Sequence, residues 1–274
     1  MYSVKRFEKA IDKGEIFTVY QPKVDLVSGD LLGVEALARW AHAQDGVIYP
    51  DEFIDLAVYS GKINKLARVI IRQAFKELRQ WEAAGLELGL SLNVSMYNLV
   101  SDEFSGFLEQ ELKEFAVTPE AVTLEVKEAG LISDYDEAVN VISQVRSMGV
   151  RIAIDDFGSS GSTLMQLREL PIDEVKIERS FVTGAHSDPR LKALCEACIN
   201  LATDLDLDLV ASGIEDLEDY RFLVNAGCTL GQGYYISRPV RPGLIEGWLT
   251  VWRRDFARIS RQLKEAEPML AMID

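Results

Sequence analysis

Short apolar runs that alternate with helical stretches are the feature that most constrains the fold of this chain. Six runs between residues 88 and 233 each end on a polar residue, and amphipathic stretches of helical period separate them. Such alternation predicts right-handed βαβ crossovers and a parallel sheet. The polar residues are Asn93, Glu125, Asp155 with Asp156, Lys176, Ser212 and Gln232. Because the carboxyl ends of parallel barrel strands meet at one face, we expect these side chains to converge.

The first part of the chain predicts a strand pair that opens the fold. The runs FTVYQPKVDL (17–26) and LLGVEALARW (31–40) are rich in apolar and β-branched residues and flank the turn signal VSGD. Counted with the later strands they give about eight, which is enough to close a barrel. Because this pair is not a regular βα unit, we expect one strand to run against the others. The predicted fold is α/β, a modified TIM (β/α)8 barrel with one antiparallel strand.

A single barrel domain is expected from the length, since a barrel of this type commonly uses about 250 residues. It is predicted to cover residues 1–247 of the 274. Beyond it, apolar side chains recur at helical spacing, which predicts an amphipathic C-terminal helix over 248–274 that packs on the barrel or on a partner. These side chains are Trp248, Trp252, Phe256, Ile259 and Leu263.

The composition excludes several classes of partner. A formal net charge of −15 opposes extended contact with a nucleic acid polymer, because such contacts depend on Lys and Arg at the phosphates. No apolar stretch approaches the ~20 residues that cross a bilayer, so we expect no membrane span and a cytoplasmic location. Cys195 and Cys198 form a CxxC pair, but they fall in a helical pattern with no fourth ligand at a usable zinc spacing, which favours buried thiols.

The oxygen atoms of four candidate side chains suit a hard divalent cation such as Mg²⁺ or Mn²⁺ better than zinc. They belong to Glu35, Asn93, Glu125 and Asp155. The adjacent Asp156 could hold a second ion, and two ions about 4 Å apart can activate water and stabilise the leaving oxygen of a phosphodiester. Taken singly, each residue is more simply a cap or a loop anchor, and only the joint placement favours a metal site.

Seven motifs appear along the chain in the order of a known family. They are YQPKVDL (20–26), VEALARW (34–40), LNVS (92–95), LEVKE (124–128), IDDFGSSGSTL (154–164), VKIERSF (175–181) and GQGYYISRP (231–239). On these motifs the chain, from about residue 17 to 242, resembles an EAL domain, the family of cyclic di-GMP phosphodiesterases. The resemblance implies a modified TIM barrel with an antiparallel strand, in agreement with the alternation of strands and helices.

The resemblance also implies roles at a catalytic centre. The ligands of a first metal ion would be the same four oxygen donors, with Asp155 and Asp156 reaching a second ion. Lys176 would hold the attacking water and the scissile phosphate. Glu128 would anchor the loop after Asp156, through which such domains couple homodimer contacts to metal binding.

A binding site for cyclic di-GMP is implied in the same way. The side chains in contact with the ligand would be Gln21, Leu37 and Arg39. Arg39 would bind a phosphate, because a planar guanidinium suits pairs of oxygen atoms. Gln232 would complete the network around the metal. Tyr235 or Tyr234 could stack on guanine, although a tyrosine at the end of a barrel strand is more often a packing residue.

The chain departs from the family at the catalytic base. The family's AEGVE segment supplies a glutamate base as its second residue, and the stretch here is ASGIE (211–215), with Ser212 at that place. A hydroxyl does not accept a proton near pH 7 as a carboxylate does, and loss of a positioned base typically costs about 10²–10⁴ in rate. Glu215 keeps the second acid of the segment but is not expected to substitute. Ser160 and Gly161 replace the family's glycine–tyrosine pair, and Glu178 replaces an aspartate.

Two functions are compatible with these features. In the first, the chain binds cyclic di-GMP with lost or residual catalysis and acts either as a receptor or regulatory domain or through a regulatory protein partner. In the second, it is an active metal-dependent phosphodiesterase that hydrolyses cyclic di-GMP to linear pGpG, because two metal ions can themselves activate water. A third alternative is a structural or protein-interaction barrel that binds neither nucleotide nor metal. Arg39 and the intact metal ligands argue against it. Loss of the base favours the first function.

Overall fold

The computed structural model describes residues 2–132, 135–158 and 170–270. The strands in these ranges are β1 (Ile16–Asp25), β2 (Leu31–His42), β3 (Gly46–Ile48), β4 (Gly89–Val94), β5 (Val122–Lys127), β6 (Arg151–Phe157), β7 (Glu174–Ile177), β8 (Asp208–Ser212) and β9 (Leu230–Gln232). The helices are α1 (Val4–Asp12), α2 (Ile54–Tyr59), α3 (Ile63–Ala83), α4 (Met96–Leu99), α5 (Asp102–Glu114), α6 (Glu128–Ile132), α7 (Tyr135–Ser147), α8 (Arg179–Val182), α9 (Pro189–Asp204), α10 (Leu217–Asn225) and α11 (Ile245–Leu270). None of the helices in the described ranges is both long and apolar enough to span a membrane.

Eight of these strands close into a barrel. Neighbours follow the order β1, β9, β8, β7, β6, β5, β4 and β2, and β2 pairs again with β1. The remaining strand, β3, pairs with the last residues of β2. β1 is antiparallel to both of its neighbours, whereas the other neighbours in the ring are parallel. These pairings confirm the predicted modified TIM barrel with one antiparallel strand.

The turn between β1 and β2 depends on local hydrogen bonds and one glycine. Asp25 Oδ1 accepts hydrogen bonds from the backbone N–H groups of Val27 (2.8 Å) and Ser28 (2.7 Å). Gly29 has a φ of +78°, and a Cβ at this position would lie 2.3 Å from the ring of Phe256. Glycine is required here because it avoids both the strain and the clash. The turn reverses the chain and makes β1 antiparallel to β2.

The C-terminal helix α11 packs on the barrel through its tryptophans. It begins at Ile245, before the start predicted at 248. Trp252 Nε1 donates a hydrogen bond to Gly29 O at 2.8 Å, and its ring stacks on that of Trp248 with centroids 5.8 Å apart. The division of the chain into a barrel domain and a separate helix at 247 stays a prediction.

The first helix, α1, is not predicted by the sequence, because charged residues dominate its segment. Ser3 caps the helix by accepting a hydrogen bond from the backbone N–H of Arg6. The few apolar residues, Phe7 among them, are buried, and the Phe7 ring lies 5.8 Å from that of Trp40 on β2. A narrow apolar face is enough to dock the helix on the end of the barrel.

The pleat of the strands separates the barrel interior from the apolar core. Side chains directly opposite each other on neighbouring strands face the same side. Glu125 is opposite Asn93 on β4 and Ala153 on β6, and Lys176 is opposite Val210 on β8. Large buried apolar residues occupy the alternate positions, among them Leu124, Ile152 and Val175. The helices therefore cover an apolar outer face, and polar side chains face inward.

Candidate metal site at the mouth of the barrel

Lys176 lies at the centre of a set of carboxylates inside the barrel. Its Nζ lies 2.5 Å from Glu125 Oε2, 3.0 Å from Glu35 Oε2 and 3.5 Å from Asp155 Oδ1. Lys176, Glu35 and Glu125 are buried. We call these four residues the carboxylate–lysine group. The structure thus brings three of the predicted metal ligands together with the predicted catalytic lysine.

Two amide side chains complete the surroundings of Glu35. Asn93 Nδ2 donates to Glu35 Oε1 at 2.6 Å, and Gln232 Nε2 donates to Glu35 Oε2 at 2.6 Å. Gln232 Nε2 also donates to Gln21 Oε1 at 3.0 Å, and Gln21 Nε2 donates to the backbone oxygen of Ser237 at 3.0 Å. These contacts place Asn93, Gln232 and Gln21 beside the carboxylate–lysine group.

Burial and hydrogen bonding give the two glutamates of the group opposite pKa shifts. Burial alone would raise the pKa of Glu35, but Lys176 and the two amide donors bring it down to about 2. Burial and the negative charge of Glu35 raise the pKa of Glu125 to about 8, against the opposing effect of Lys176. Burial also raises the pKa of Asp155. Burial disfavours the charge on Lys176, yet the three carboxylates raise its pKa well above the ordinary value, so it stays an ammonium.

The carboxylate–lysine group has the charge and the free oxygen atoms of a divalent metal site. Three carboxylates and one ammonium, at −3 and +1, give a net charge of −2 when all are ionised. Glu125 Oε1 and Gln232 Oε1 are buried and have no hydrogen-bond partner within the described ranges. Such an oxygen is costly to bury unless a ligand or an ion satisfies it. The residues present therefore fit a hard cation such as Mg²⁺ or Mn²⁺.

The neighbouring carboxylates of Asp155 and Asp156 are turned apart at the end of β6. The pairing of β6 with β7 shifts register between Ile154 and Phe157, and Asp156 has a φ of +58°. Asp155 lies beside Lys176, whereas Asp156 Oδ2 lies 3.1 Å from Lys127 Nζ. The first aspartate of the pair therefore belongs to the carboxylate–lysine group, and the second faces a different cation.

Ser212 faces the same side of the sheet as the carboxylate–lysine group. It ends β8 directly opposite Gln232, which contacts Glu35. Val210 shares this face of β8 and lies opposite Lys176. The residue at the predicted base position is thus directed to the mouth of the barrel, and it is a half-buried hydroxyl.

Glu215 has different surroundings. It is exposed and forms an ion pair with Arg179. The Arg179 side chain covers Gly213, where φ is +80° and a Cβ would lie 2.3 Å from Arg179 Cγ. Glu215 is therefore held at the surface by Arg179, in accord with the expectation that it does not substitute for the base.

Three predicted site residues follow one another on the inward face of β2, at alternate positions from Glu35 through Leu37 to Arg39. Leu37 is half-buried. Arg39 is buried, with 9% of the residue exposed, and its guanidinium lies over the ring of Tyr49, 4.7 Å from the ring centre. Tyr49 was missed from the sequence, where only its aromatic character before Pro50 marks it.

The two candidate stacking tyrosines have different neighbours. Tyr234 is exposed, and Arg238 lies over its ring at 4.4 Å from the centre. Tyr235 packs edge-on against Tyr220 with centroids 6.1 Å apart and lines a groove beside Trp248. Tyr235 therefore packs against α10 and faces the groove along α11, and its contact with a ligand stays a prediction.

Glu128 contacts the start of the loop that follows β6. It is buried, and its Oε2 accepts a hydrogen bond from the backbone N–H of Gly158 at 3.1 Å. The continuation of this loop, including Ser160 and Gly161, lies outside the described residues, as does the segment 162–169, for which the sequence predicts a short helix. Homodimer contacts through the loop stay a prediction.

A second ion pair inside the barrel was missed from the sequence. Lys23 Nζ lies 2.8 Å from Glu174 Oε1 and 3.1 Å from Ser91 Oγ, and all three side chains are buried. Glu174 shares the inward face of β7 with Lys176. The alternation of strand positions could have placed Lys23 inside, because it follows the predicted ligand contact Gln21 on the same face.

Comparison with known proteins identifies the family. The EAL domain model matches residues 4–239, so the chain belongs to the EAL domain family. The chain is 38% identical over 234 residues to the cyclic di-GMP phosphodiesterase PA2567 of Pseudomonas aeruginosa. This alignment covers 84% of this chain and 39% of that protein. The chain is also 33% identical over 244 residues to the oxygen sensor protein DosP of Escherichia coli, in an alignment that covers 89% of this chain and 30% of that protein. The chain thus spans well under half the length of these curated relatives.

Solved structures share the architecture. The PaMucR phosphodiesterase in complex with c-di-GMP superposes with a TM-score of 0.83 at 32% identity, over 87% of this chain and 97% of that one. The EAL enzyme Bd1971, with cAMP and cyclic di-GMP bound, gives a TM-score of 0.84 at 33% identity, over 91% of this chain and 68% of that one. These matches confirm the resemblance inferred from the seven motifs.

Proposed function

We propose that the chain binds cyclic di-GMP in second-messenger signalling and that its hydrolysis of the ligand is impaired. Two similar proteins support cyclic di-GMP as the ligand: one is named as a cyclic di-GMP phosphodiesterase, and the other was solved in complex with c-di-GMP. The sequence identity to each exceeds 30%, and the alignments cover most of this chain. Lys176 and Arg39, together with a bound divalent cation, would supply the positive charges that such a dianionic ligand requires.

A divalent cation would be held by the first-metal set predicted from the sequence, which is Glu35, Asn93, Glu125 and Asp155. The buried Glu125 Oε1, without a hydrogen-bond partner in the described ranges, supports this assignment. Mg²⁺ or Mn²⁺ bound there would neutralise phosphate charge and act as a Lewis acid on a phosphate oxygen. Compensation of this kind is needed in a chain of net charge −15.

Protein cations would contribute the rest of the phosphate contacts. The three carboxylates around Lys176 keep its ammonium charged, so it would donate hydrogen bonds to a phosphate oxygen and to the water that attacks phosphorus. The Arg39 guanidinium, restrained against Tyr49, would contact a phosphate. Gln21 and Leu37 would line the ligand beside them.

The observation that carries the impaired function is Ser212. Ser212 lies opposite Gln232 on the inward face of β8, and this placement supports a role of position 212 as the site of the base. A serine hydroxyl at this position does not take a proton from water near neutral pH. The expected loss in rate is about 10²–10⁴-fold, while binding contacts are unchanged.

An active metal-dependent phosphodiesterase is the second candidate. The arrangement that favours it is the intact contact of Lys176 with three carboxylates at 2.5–3.5 Å. If metal ions alone supply enough activation of water, this arrangement would support turnover to linear pGpG without the base.

The experiment compares the wild-type chain with Ser212→Glu at saturating cyclic di-GMP and Mn²⁺, and follows the formation of linear pGpG. We expect Ser212→Glu to turn over at least ~10²-fold faster, because it restores a proton acceptor at the inward position. The affinity for cyclic di-GMP, titrated with Ca²⁺ in place of Mn²⁺, should be similar for both proteins.

Ser212→Gln is the matched control, because glutamine has the size of glutamate without its basicity. It should turn over no faster than the wild type. Wild-type turnover of order 1 s⁻¹ or more, typical of competent enzymes, would refute the impaired function and establish the phosphodiesterase.

A further inference from the structure

The carboxylate of Asp156 already has a protein cation as its partner. Lys127 Nζ lies 3.1 Å from Asp156 Oδ2. Lys127 is the last residue of β5 and lies opposite Asp155 on β6, so the register of the two strands sets this proximity. The lysine thus stands beside both aspartates that the sequence assigned to a second metal ion.

The backbone fixes the direction in which Asp156 points. Successive residues of a regular strand face opposite sides, and a bulge can redirect them. Here the register of β6 and β7 shifts between Ile154 and Phe157, and Asp156 has a left-handed φ of +58°. An aspartate in this conformation is tolerated but uncommon, so the surrounding chain holds it there. The ion pair with Lys127 therefore follows from the geometry of the strand end.

A cation at this place opposes a second metal ion. Asp156 would coordinate Mg²⁺ or Mn²⁺ at about 2.1 Å from an oxygen atom, within a few ångströms of the ammonium that contacts the same carboxylate. Charges of +2 and +1 about 5 Å apart in water repel each other enough to weaken binding roughly tenfold or more. The lysine is largely exposed, and the attraction in an exposed pair is weak. The weaker binding of a second metal ion therefore comes from the positive charge of Lys127, which the chain holds nearby, and not from the strength of the Lys127–Asp156 ion pair.

We propose that Lys127 takes the place of a second divalent cation at Asp156, so that the domain binds one ion. This inference rests on the proposed function, in which Glu35, Asn93, Glu125 and Asp155 hold the first ion. Lys127 acts through Asp156 and is a positioning residue. A site with one ion neutralises ligand phosphate but lacks the second centre that activates water in two-metal hydrolysis.

Mn²⁺ binding to the metal-free full chain, without nucleotide, tests the inference. The stoichiometry is measured by calorimetry and by the electron paramagnetic resonance signal of unbound Mn²⁺. We expect one bound ion for the wild type and two for Lys127→Gln. The dissociation constant of the second ion on Lys127→Gln should be at least about tenfold lower than that of any second ion on the wild type. Lys127→Arg keeps the positive charge and should bind one ion. Adding Asp156→Asn to Lys127→Gln should return the count to one.

Each outcome discriminates between the two proposals. Two ions on the wild type, or one on Lys127→Gln, would overturn the role of Lys127 and leave the first metal site intact. No ion on the wild type, with Glu125→Gln giving the same result, would overturn the metal site itself and the inference that rests on it. Lys127 and Asp156 are at least partly exposed, whereas Glu125 is buried. The melting temperature of each of the four variants therefore verifies that the protein remains folded.

Discussion

Metal binding to this domain should depend steeply on pH because of Glu125. Burial and the charge of Glu35 raise the pKa of Glu125 to about 8, so near neutral pH this proposed metal ligand carries a proton that the ion would have to displace. Lowering the pH from 8 to 6 reduces the ionised fraction from about one half to about one in a hundred. The apparent affinity for Mg²⁺ should therefore fall about fiftyfold over this range.

The other carboxylates do not reverse this trend. The pKa of Glu35 is lowered to about 2, so Glu35 stays ionised throughout and adds no slope. Burial raises the pKa of Asp155, and its protonation at low pH acts in the same direction as that of Glu125. The sign is therefore fixed: affinity rises with pH and levels off above about 8.

The assay is calorimetric titration of the metal-free protein with Mg²⁺ at several pH values, each in two buffers of different ionisation enthalpy. The buffer difference counts the protons released, which should approach about one per ion at pH 6 and fall at higher pH. Glu125→Gln should bind more weakly and lose most of the pH dependence. An affinity that is constant between pH 6 and 8, with no proton release, would refute the reasoning.

Three further predictions concern stability. Lys23→Met leaves Glu174 buried without its ion-pair partner and should lower the free energy of unfolding by about 3–5 kcal/mol, whereas the double variant Lys23→Met with Glu174→Leu should regain most of the loss in denaturant titrations. Gly29→Ala should cost about 1–3 kcal/mol, because its Cβ meets the Phe256 ring and its φ is positive; an unchanged melting temperature would contradict the proposed close packing. The pKa of Glu125 rises on folding from 4.5 to about 8, so the metal-free protein should lose stability as pH rises through this window; a melting temperature that increases from pH 5 to 8 would contradict the sign.

The barrel is predictable from the sequence because each strand, helix and turn is marked by a pattern within a short stretch of residues. Each apolar run ends on a polar residue before a helical stretch, and the VSGD turn between two early runs predicts the antiparallel pair. β3 and α1 were not predicted, because β3 is short and charged residues hide the apolar face of α1. Both depend on packing against the end of β2.

The centre of the candidate site was predictable from strand ends, but its electrostatics were not. Glu125, Asp155 and Lys176 follow from the polar ends of β5, β6 and β7, whereas Glu35 lies in the middle of β2 and was assigned by its oxygen atoms and the family motif. The pairing of Lys127 with Asp156 depends on a register shift and a positive φ, neither of which leaves a pattern in the sequence. The ion pair of Lys23 with Glu174 joins strands that are distant in the chain, so the closed barrel has to be known first.

The reversed direction of β1 decides where the chain enters the barrel. Ile16, the first residue of β1, pairs with Trp40 at the carboxyl end of β2, so α1 lies at the same end as the carboxylates. Phe7 of α1 packs against Trp40, the neighbour of Arg39 in the chain. In a barrel whose first strand ran parallel to the others, a preceding helix would lie at the opposite end. A movement of the N-terminal helix would therefore act directly on Trp40, the neighbour of Arg39, for which phosphate binding is proposed, without passing through the barrel.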